Sequence, residues 1–370
     1  MVAPSLPPAA HRRGRALATG VALVVIVGVA ALVARGITDQ SGPVLPLALC
    51  RAGQSLDFLA PLDLRRAFTA WQGDAVFDLV SVLAVLAYAW GARAYRRGTG
   101  ARWPWQRSAL FGVGIVLLVL ATNSALAVYD MTLFSVHMIQ HLALIMVIPA
   151  FLVLGRPLTM LLALSERART VAQARVWAAV FSAPVALGAY AAVLVGTHLT
   201  GVMGQVMQHA WAGQLEHALY LVVGVQFFAA AIGNAPVPWR LSYPGRIFLT
   251  MAAMAVDTFV GIVLMMSVQP IAMLGHPGWG PSPLADTHLG GAVMWVGGDG
   301  LMALAPVALI VAWARSAEEP AEASGWFERA RVAQLVSHGA AEPAADGAVD
   351  GDDAQLEAYN RWLAQLNRRS

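Results

Sequence analysis

The stretch Leu133-Phe-Ser-Val-His137-Met-Ile-Gln-His141-Leu-Ala-Leu-Ile-Met-Val-Ile-Pro149-Ala-Phe-Leu-Val-Leu154-Gly-Arg156-Pro157-Leu158 decides the fold. Between 133 and 154 it holds no acid, lysine or arginine. Crossing a hydrocarbon core of ~30 Å takes about 20 predominantly apolar residues in a helix. The run therefore reads as a membrane span that ends near Leu154, breaks, and continues to Ala163 as an interfacial segment, with Pro149 and Pro157 as the disruptive residues. Seven further runs of this kind flank it: Leu17 to Ala34, Val76 to Ala94, Ala109 to Val128, Val176 to His198, His209 to Ile232, Ile247 to Val268 and Gly290 to Trp313. The expected fold is an all-α polytopic membrane helix bundle of about eight transmembrane helices.

Composition agrees. The 370 residues are 58% hydrophobic and 12% charged, whereas soluble domains carry about a quarter charged residues. An ordinary cytoplasmic enzyme is excluded. The chain has no lysine, and its arginines fall in short clusters between apolar runs, with a net charge of only +3. That pattern marks membrane loops and argues against nucleic acid as a partner; the expected surroundings are lipid. Clusters at Arg12 to Arg15, Arg93 to Arg107, Arg156 to Arg175, Arg240 with Arg246, and Arg315 occupy alternate loops, so those loops are expected in the cytoplasm, with both termini inside. The expected organisation is a cytoplasmic tail 1–16, an extra helix 17–34, an outer loop 35–75, a seven-helix domain 76–315 and a polar cytoplasmic tail 316–370. The first run has the basic start of a signal peptide but is long for one and fits an uncleaved anchor better. In the tail, Leu356, Tyr359, Leu363 and Leu366 recur at helical spacing, as in a short amphipathic helix.

The few polar residues in the runs carry the functional information, because an ionisable group at the bilayer centre costs roughly 2.5–3.5 kcal/mol on insertion scales. His137, His141, His198, His209, His217, His276 and His288 all map to the outer half or the outer loops. His137 and His141, at i and i+4, project from one helix face ~6 Å apart, a spacing that offers two nitrogens to one metal or stacks two haem or metal levels. His217 lies ~12 Å deeper than His209, at the depth of His141. On the last helix His288, Trp295 and Asp299 share a face at i, i+7 and i+11. Glu216, Asp257 and Asp299 lie inside helices and Asp130 at an outer lip, where each needs a partner or a hydrated cavity. Methionines, among them Met131, Met138, Met203, Met207, Met265, Met266, Met273 and Met294, crowd the same half. Imidazole with thioether suits copper, although packing alone accounts for most methionines in apolar helices. A single cysteine, Cys50, excludes a disulfide framework or a thiolate cluster within this chain.

The segment from Met131 through His137 and His141 to Pro149 and Leu154-Gly155-Arg156-Pro157-Leu158 resembles the signature of the CtaG family of integral-membrane cytochrome c oxidase assembly factors. Glu216-His217-Ala-Leu-Tyr, Pro283-Leu284-Ala-Asp286 and Gly290-Gly291-Ala-Val-Met294-Trp295-Val-Gly297-Gly298-Asp299 are similar to further blocks of that family. The likeness spans roughly Phe77 to Arg315; the first helix and its outer loop fall outside it. It implies a seven-helix protein of bacterial inner membranes that matures a haem-copper oxidase and acts in forming its copper centre. It supports His137, His141, His217, Asp286 and Asp299.

The leading expectation is thus a non-enzymatic factor that holds or relays copper at the outer face, with haem-copper oxidase subunits or copper chaperones as partners. His137, His141 and His217 are the expected core ligands, His198, His209 and His288 additional candidates, and Glu216 or Asp299 the acids around them. A haem-binding membrane cytochrome b is the alternative, since facing histidines also ligate haem iron. A copper transporter ranks last, because the inner half of the runs is almost wholly apolar.

Overall fold

The computed structural model describes residues 59–233, 241–271, 273 and 276–316. The expected first helix 17–34, most of the first outer loop with Cys50, and the tail from 317 with its amphipathic segment lie outside the described residues. By contacts the chain divides into a unit ending at Leu309 and a second beginning at Ile310, of which only the end of the last helix and Ser316 are described.

Among the described residues the structure is helical, without strands. Seven helices carry it: α1 Ala75–Thr99, α2 Trp105–Tyr129, α3 Phe134–Leu154, α4 Ala183–His198, α5 Ala210–Ala231, α6 Tyr243–Met265 and α7 Pro283–Arg315. α1, α2, α3, α6 and α7 are long and apolar enough to cross a membrane, and α4 is a shorter apolar helix. The protein is a multi-pass membrane helix bundle. Large apolar side chains such as Trp90, Val222, Phe248, Val296 and Leu304 stand exposed around it, as lipid-facing residues must.

The helix limits follow local chemistry. α1 begins where the Asp74 carboxylate accepts the amides of Val76 and Phe77, and stops at Gly100, whose φ of 70° suits a residue without Cβ. α2 is jointed at Ser124, whose hydroxyl caps its last turn at 3.3 Å from the amide of Leu126. The Val176 to His198 run divides into Arg175–Val180 and α4, because Ser182 caps a new helix with Pro184 in its first turn.

α3 breaks after Leu154, as its sequence predicts: Arg156 adopts φ 56° and a new helix, Pro157–Leu164, begins at once. Pro149 does not break it. A proline lacks an N–H and presses on the carbonyl four residues back, here Ile145, and the helix widens into a π turn over Ala143–Val147. α5 packs on this spot through Gly224. A Cβ there would collide with the Ile145 carbonyl oxygen and lie 2.6 Å from the Pro149 ring. α7 carries a second π turn, Val293–Gly297, beside the first: Leu142 and Met146 of α3 approach Gly298. Between α6 and α7, a Cβ on Gly291 would stand 2.8 Å from the Gly261 carbonyl. Small residues here set the distance between helices, as they do where bilayer helices associate by packing. Phe134, Met138, Tyr190, Leu194, Tyr220, Phe227, Val260 and Met294 fill the centre.

Candidate metal centre

α3 and α4 bring three imidazoles together. His137, His141 and His198 offer ligand nitrogens that all lie within 4.8 Å of one another, and all three residues are buried. The i, i+4 spacing on α3 places the His137 and His141 rings 3.9 Å apart between centroids. His198 closes α4, and its Nε2 stands 3.3 Å from Nδ1 of His141. Metal–nitrogen bonds of about 2.0–2.1 Å in a tetrahedral set separate ligand nitrogens by about 3.4 Å. The His141/His198 pair already stands at that spacing.

The surroundings orient the rings. Nδ1 of His198 lies 3.0 Å from the Leu194 carbonyl, one turn back. A carbonyl can only accept, so Nδ1 carries the proton and Nε2 turns its lone pair toward His141. Tyr220 donates to Oγ1 of Thr197 at 2.7 Å, which donates to the Val193 carbonyl at 2.8 Å, and the Tyr220 ring stacks on His141 at 4.0 Å. Glu216, one turn before Tyr220, presents Oε2 3.6 Å from Nε2 of His141 and 3.9 Å from Nε2 of His137. His198 thus lies on the Nδ1 side of His141 and the carboxylate on its Nε2 side. Both nitrogens of His137, Nε2 of His141 and both oxygens of Glu216 are buried without a hydrogen-bond partner. Buried polar groups are ordinarily satisfied, and a cation would satisfy this set.

His217 is not the third member of the cluster. Residue counting places it at the right depth, but neighbours on a helix point ~100° apart, and on α5 Glu216 takes the side facing α3. His217 turns toward Asp130, with Nε2 4.0 Å from Oδ2. Asp130 lies in the turn between α2 and α3, where burial pushes its carboxyl up to about 8, a rise to which the negative charges of Glu216 and Asp74 add. His209 is exposed at the start of α5, its Nδ1 3.3 Å from the Gln205 carbonyl. His288 meets the Ser267 carbonyl at 2.9 Å, and His276 the Pro281 carbonyl at 3.2 Å. Asp299 accepts from Thr258 at 2.7 Å, and Asp257 accepts from Tyr190 at 3.0 and 3.1 Å. Neither acid joins the three converging histidines. Met138 and Met294 are core residues, and Met266 is exposed.

Asp286 has a structural assignment. It accepts from the amides of Phe134 and Ser135 at 2.5 and 3.3 Å and from the Ser135 hydroxyl at 2.6 Å. The N-cap residue of α3, Leu133, has no side-chain oxygen. Asp286 supplies the cap from α7, fixing the first turn of the helix that carries His137 and His141. Its position after Ser282-Pro283 marks a helix start, but nothing in the sequence announces which helix it caps. Nothing in the sequence marks Thr197, and Tyr220 stands there only as the last residue of the Glu216-His217-Ala-Leu-Tyr block. The detectable signal was that Tyr220 follows Glu216 at i+4.

A family model described as cytochrome c oxidase caa3 assembly factor matches residues 86–316. The chain is 31% identical over 326 residues to an uncharacterized protein of Mycobacterium bovis and to one of Mycobacterium tuberculosis. It is 31% identical over 327 residues to an uncharacterized protein of Mycobacterium leprae. Each alignment covers 83% of this chain and 46% of the relative, so the chain spans about half the length of these relatives. No solved structure matches.

Proposed function

The chain belongs to the cytochrome c oxidase caa3 assembly factor family, and we propose that it assists oxidase maturation by holding a copper ion between α3 and α4 and passing it to an oxidase subunit. The observation that carries this reading is the convergence of His137, His141 and His198, with nitrogens within 4.8 Å and Glu216 beside them. His198 offers Nε2, His141 offers Nδ1 and His137 completes a three-nitrogen set, while the Glu216 carboxylate, 3.6 Å from Nε2 of His141, balances charge. Bound there, copper would be shielded from water and held by neutral ligands suited to it. The role is that of a carrier, not a catalyst. By the arginine asymmetry the site opens toward the outer face of the bacterial inner membrane, the side on which an oxidase copper centre would receive its metal.

Haem is the second reading. The Tyr220 ring stacks on His141, and the Phe134 ring lies 6.2 Å from that of His137 and 6.1 Å from that of His198, so aromatic side chains pack closely around the three imidazoles. The packing thus favours an ion.

Metal content and a visible absorption spectrum of detergent-purified protein, with and without added cuprous ion, test the proposal. One copper per chain without a Soret band, lost in His137→Ala and His141→Ala together with oxidase maturation, is the expected result. Protein that binds no copper, with maturation intact in both variants, would refute it.

A further inference from the structure

His217 and Asp130, left outside the histidine triad, have the properties of a second site. Asp130 is only 4% exposed, and its Oδ1 has no hydrogen-bond partner. Nδ1 of His217 is likewise buried and unpartnered. Their facing atoms, Nε2 and Oδ2, are 4.0 Å apart, too far for a hydrogen bond. Two ligands that share a cation at about 2.0–2.2 Å each and subtend a wide angle stand at about that separation.

The placement gives the pair a direction. Toward the end of the bundle where α1 begins lies Asp74, partly exposed, with Oδ2 accepting from Gln214 at 2.7 Å. Gln214 precedes His217 by three residues on α5, so both occupy the same side of that helix. In the other direction the His217 ring is 6.3 Å from that of His141 between centroids, and Glu216 is the adjacent residue. The Phe77 ring, 6.1 Å from that of His217, supplies an apolar wall. From the surface inward the groups run from a partly exposed carboxylate, to a carboxyl with an imidazole, to three imidazoles with a buried carboxylate. A cation following this order exchanges water for oxygen and then for nitrogen, and never stands unneutralised in the low-dielectric interior.

We propose that Asp130 and His217 form an outer cation-binding station through which a metal ion is delivered to the histidine triad. This rests on the triad being a metal site; the station adds a weaker second site and controls the rate of loading. Asp130→Asn keeps the shape and removes the oxygen that can ionise as a cation binds, Asp130→Glu restores a carboxyl group, and His217→Gln tests the other element.

The experiment is anaerobic uptake of cuprous ion by the full-length protein in detergent, followed by stopped flow. Equilibrium stoichiometry is measured alongside against a competing chelator. Wild type is expected to bind a tight and a weak equivalent. Asp130→Asn and His217→Gln are expected to lose the weak equivalent and to load the tight one several-fold more slowly, with its affinity unchanged and Asp130→Glu partly restoring the rate. Wild-type loading rate and stoichiometry in Asp130→Asn and His217→Gln, while His198→Ala loses the tight equivalent, overturns the station and leaves the triad standing. Unaltered tight binding in His137→Ala, His141→Ala and His198→Ala refutes the triad itself. A merely structural pair would lower stability in Asp130→Asn and leave the loading rate unchanged, which also overturns the proposal.

Discussion

Replacing Asp286 tests whether the triad depends on a cap borrowed from another helix. An α-helix begins with four amides that have no partner within it. In α3 the Asp286 carboxylate serves two of them, Phe134 and Ser135, and takes the Ser135 hydroxyl as well. Losing an N-cap acceptor costs about 0.5–2 kcal/mol, and a buried amide left unpaired costs about 1–3 kcal/mol. Phe134 is fully buried, so water cannot replace the carboxylate there. Asp286→Ala should therefore destabilise the protein by about 3 kcal/mol. Asp286→Asn keeps one acceptor, and its amide can donate to the Ser135 hydroxyl, so about 1 kcal/mol is expected. The first turn is where the damage falls. His137, whose own amide bonds the Leu133 carbonyl at 3.0 Å, sits one turn inside it and should lose its fixed relation to His141. Copper affinity should fall about 10- to 100-fold in Asp286→Ala, as for other groups that orient ligands, and less in Asp286→Asn. Thermal unfolding, copper titration and hydrogen exchange at the Phe134 and Ser135 amides measure the three effects. Unchanged amide protection and stability in Asp286→Ala would refute the cap. A loss of copper as complete in Asp286→Asn as in Asp286→Ala, with stability intact, would make Asp286 a ligand instead.

Two further outcomes follow from packing and from charge. Gly224→Ala should force α5 away from α3, because its Cβ meets a carbonyl and a proline ring rather than a flexible side chain; overpacking of this kind costs about 1–3 kcal/mol, and thermal midpoint and copper affinity should fall together, whereas a neutral variant would show the contact to be loose. Asp130 has its pKa raised to about 8 from about 3.9 in the unfolded chain, so its contribution to stability is fully present below pH ~4 and is lost as the pH rises through about 8. Thermal midpoints of metal-free protein at pH 5.5 and 7.5 should accordingly drop further in wild type than in Asp130→Asn, and parallel drops would contradict the raised carboxyl.

Most of the bundle was readable because each helix declared itself by length: the runs beginning at Val76, Ala109, Leu133, Ile247 and Gly290 correspond to helices long enough to cross a bilayer. The break after Leu154 was readable from Gly155, Arg156 and Pro157. His137 and His141 were readable as a pair because i, i+4 spacing is a property of one helix. Choosing His198 or His217 as the third imidazole was not. Depth along a helix follows from counting residues, but rotation depends on which side meets its neighbours, and α5 is apolar almost all the way round, which leaves no stripe to orient it. Asp286 shows the same limit. Its helix was evident, but the amides it serves lie some 150 residues away along the chain. The joint at Ser124 and the split at Ser182 were missed because a capping serine inside an apolar run does not interrupt hydropathy.

The two π turns change how residues in α3 and α7 must be counted. A π turn admits one residue more than the α-helical ladder requires, and each residue advances the chain by ~100°. Residues on the Pro149 side of α3 and on the histidine side therefore belong to different rotational frames, and a single helical wheel drawn through all of Phe134–Leu154 would mis-aim one half by more than a quarter turn. Deleting one residue within Ala143–Val147 would remove the surplus and bring the two halves toward a single frame. If the lower half stayed docked on Gly224, His137 and His141 would swing off His198. The surplus residue in α3 thus acts as an angular offset that lets one end of the helix lock into the bundle while the other faces the site.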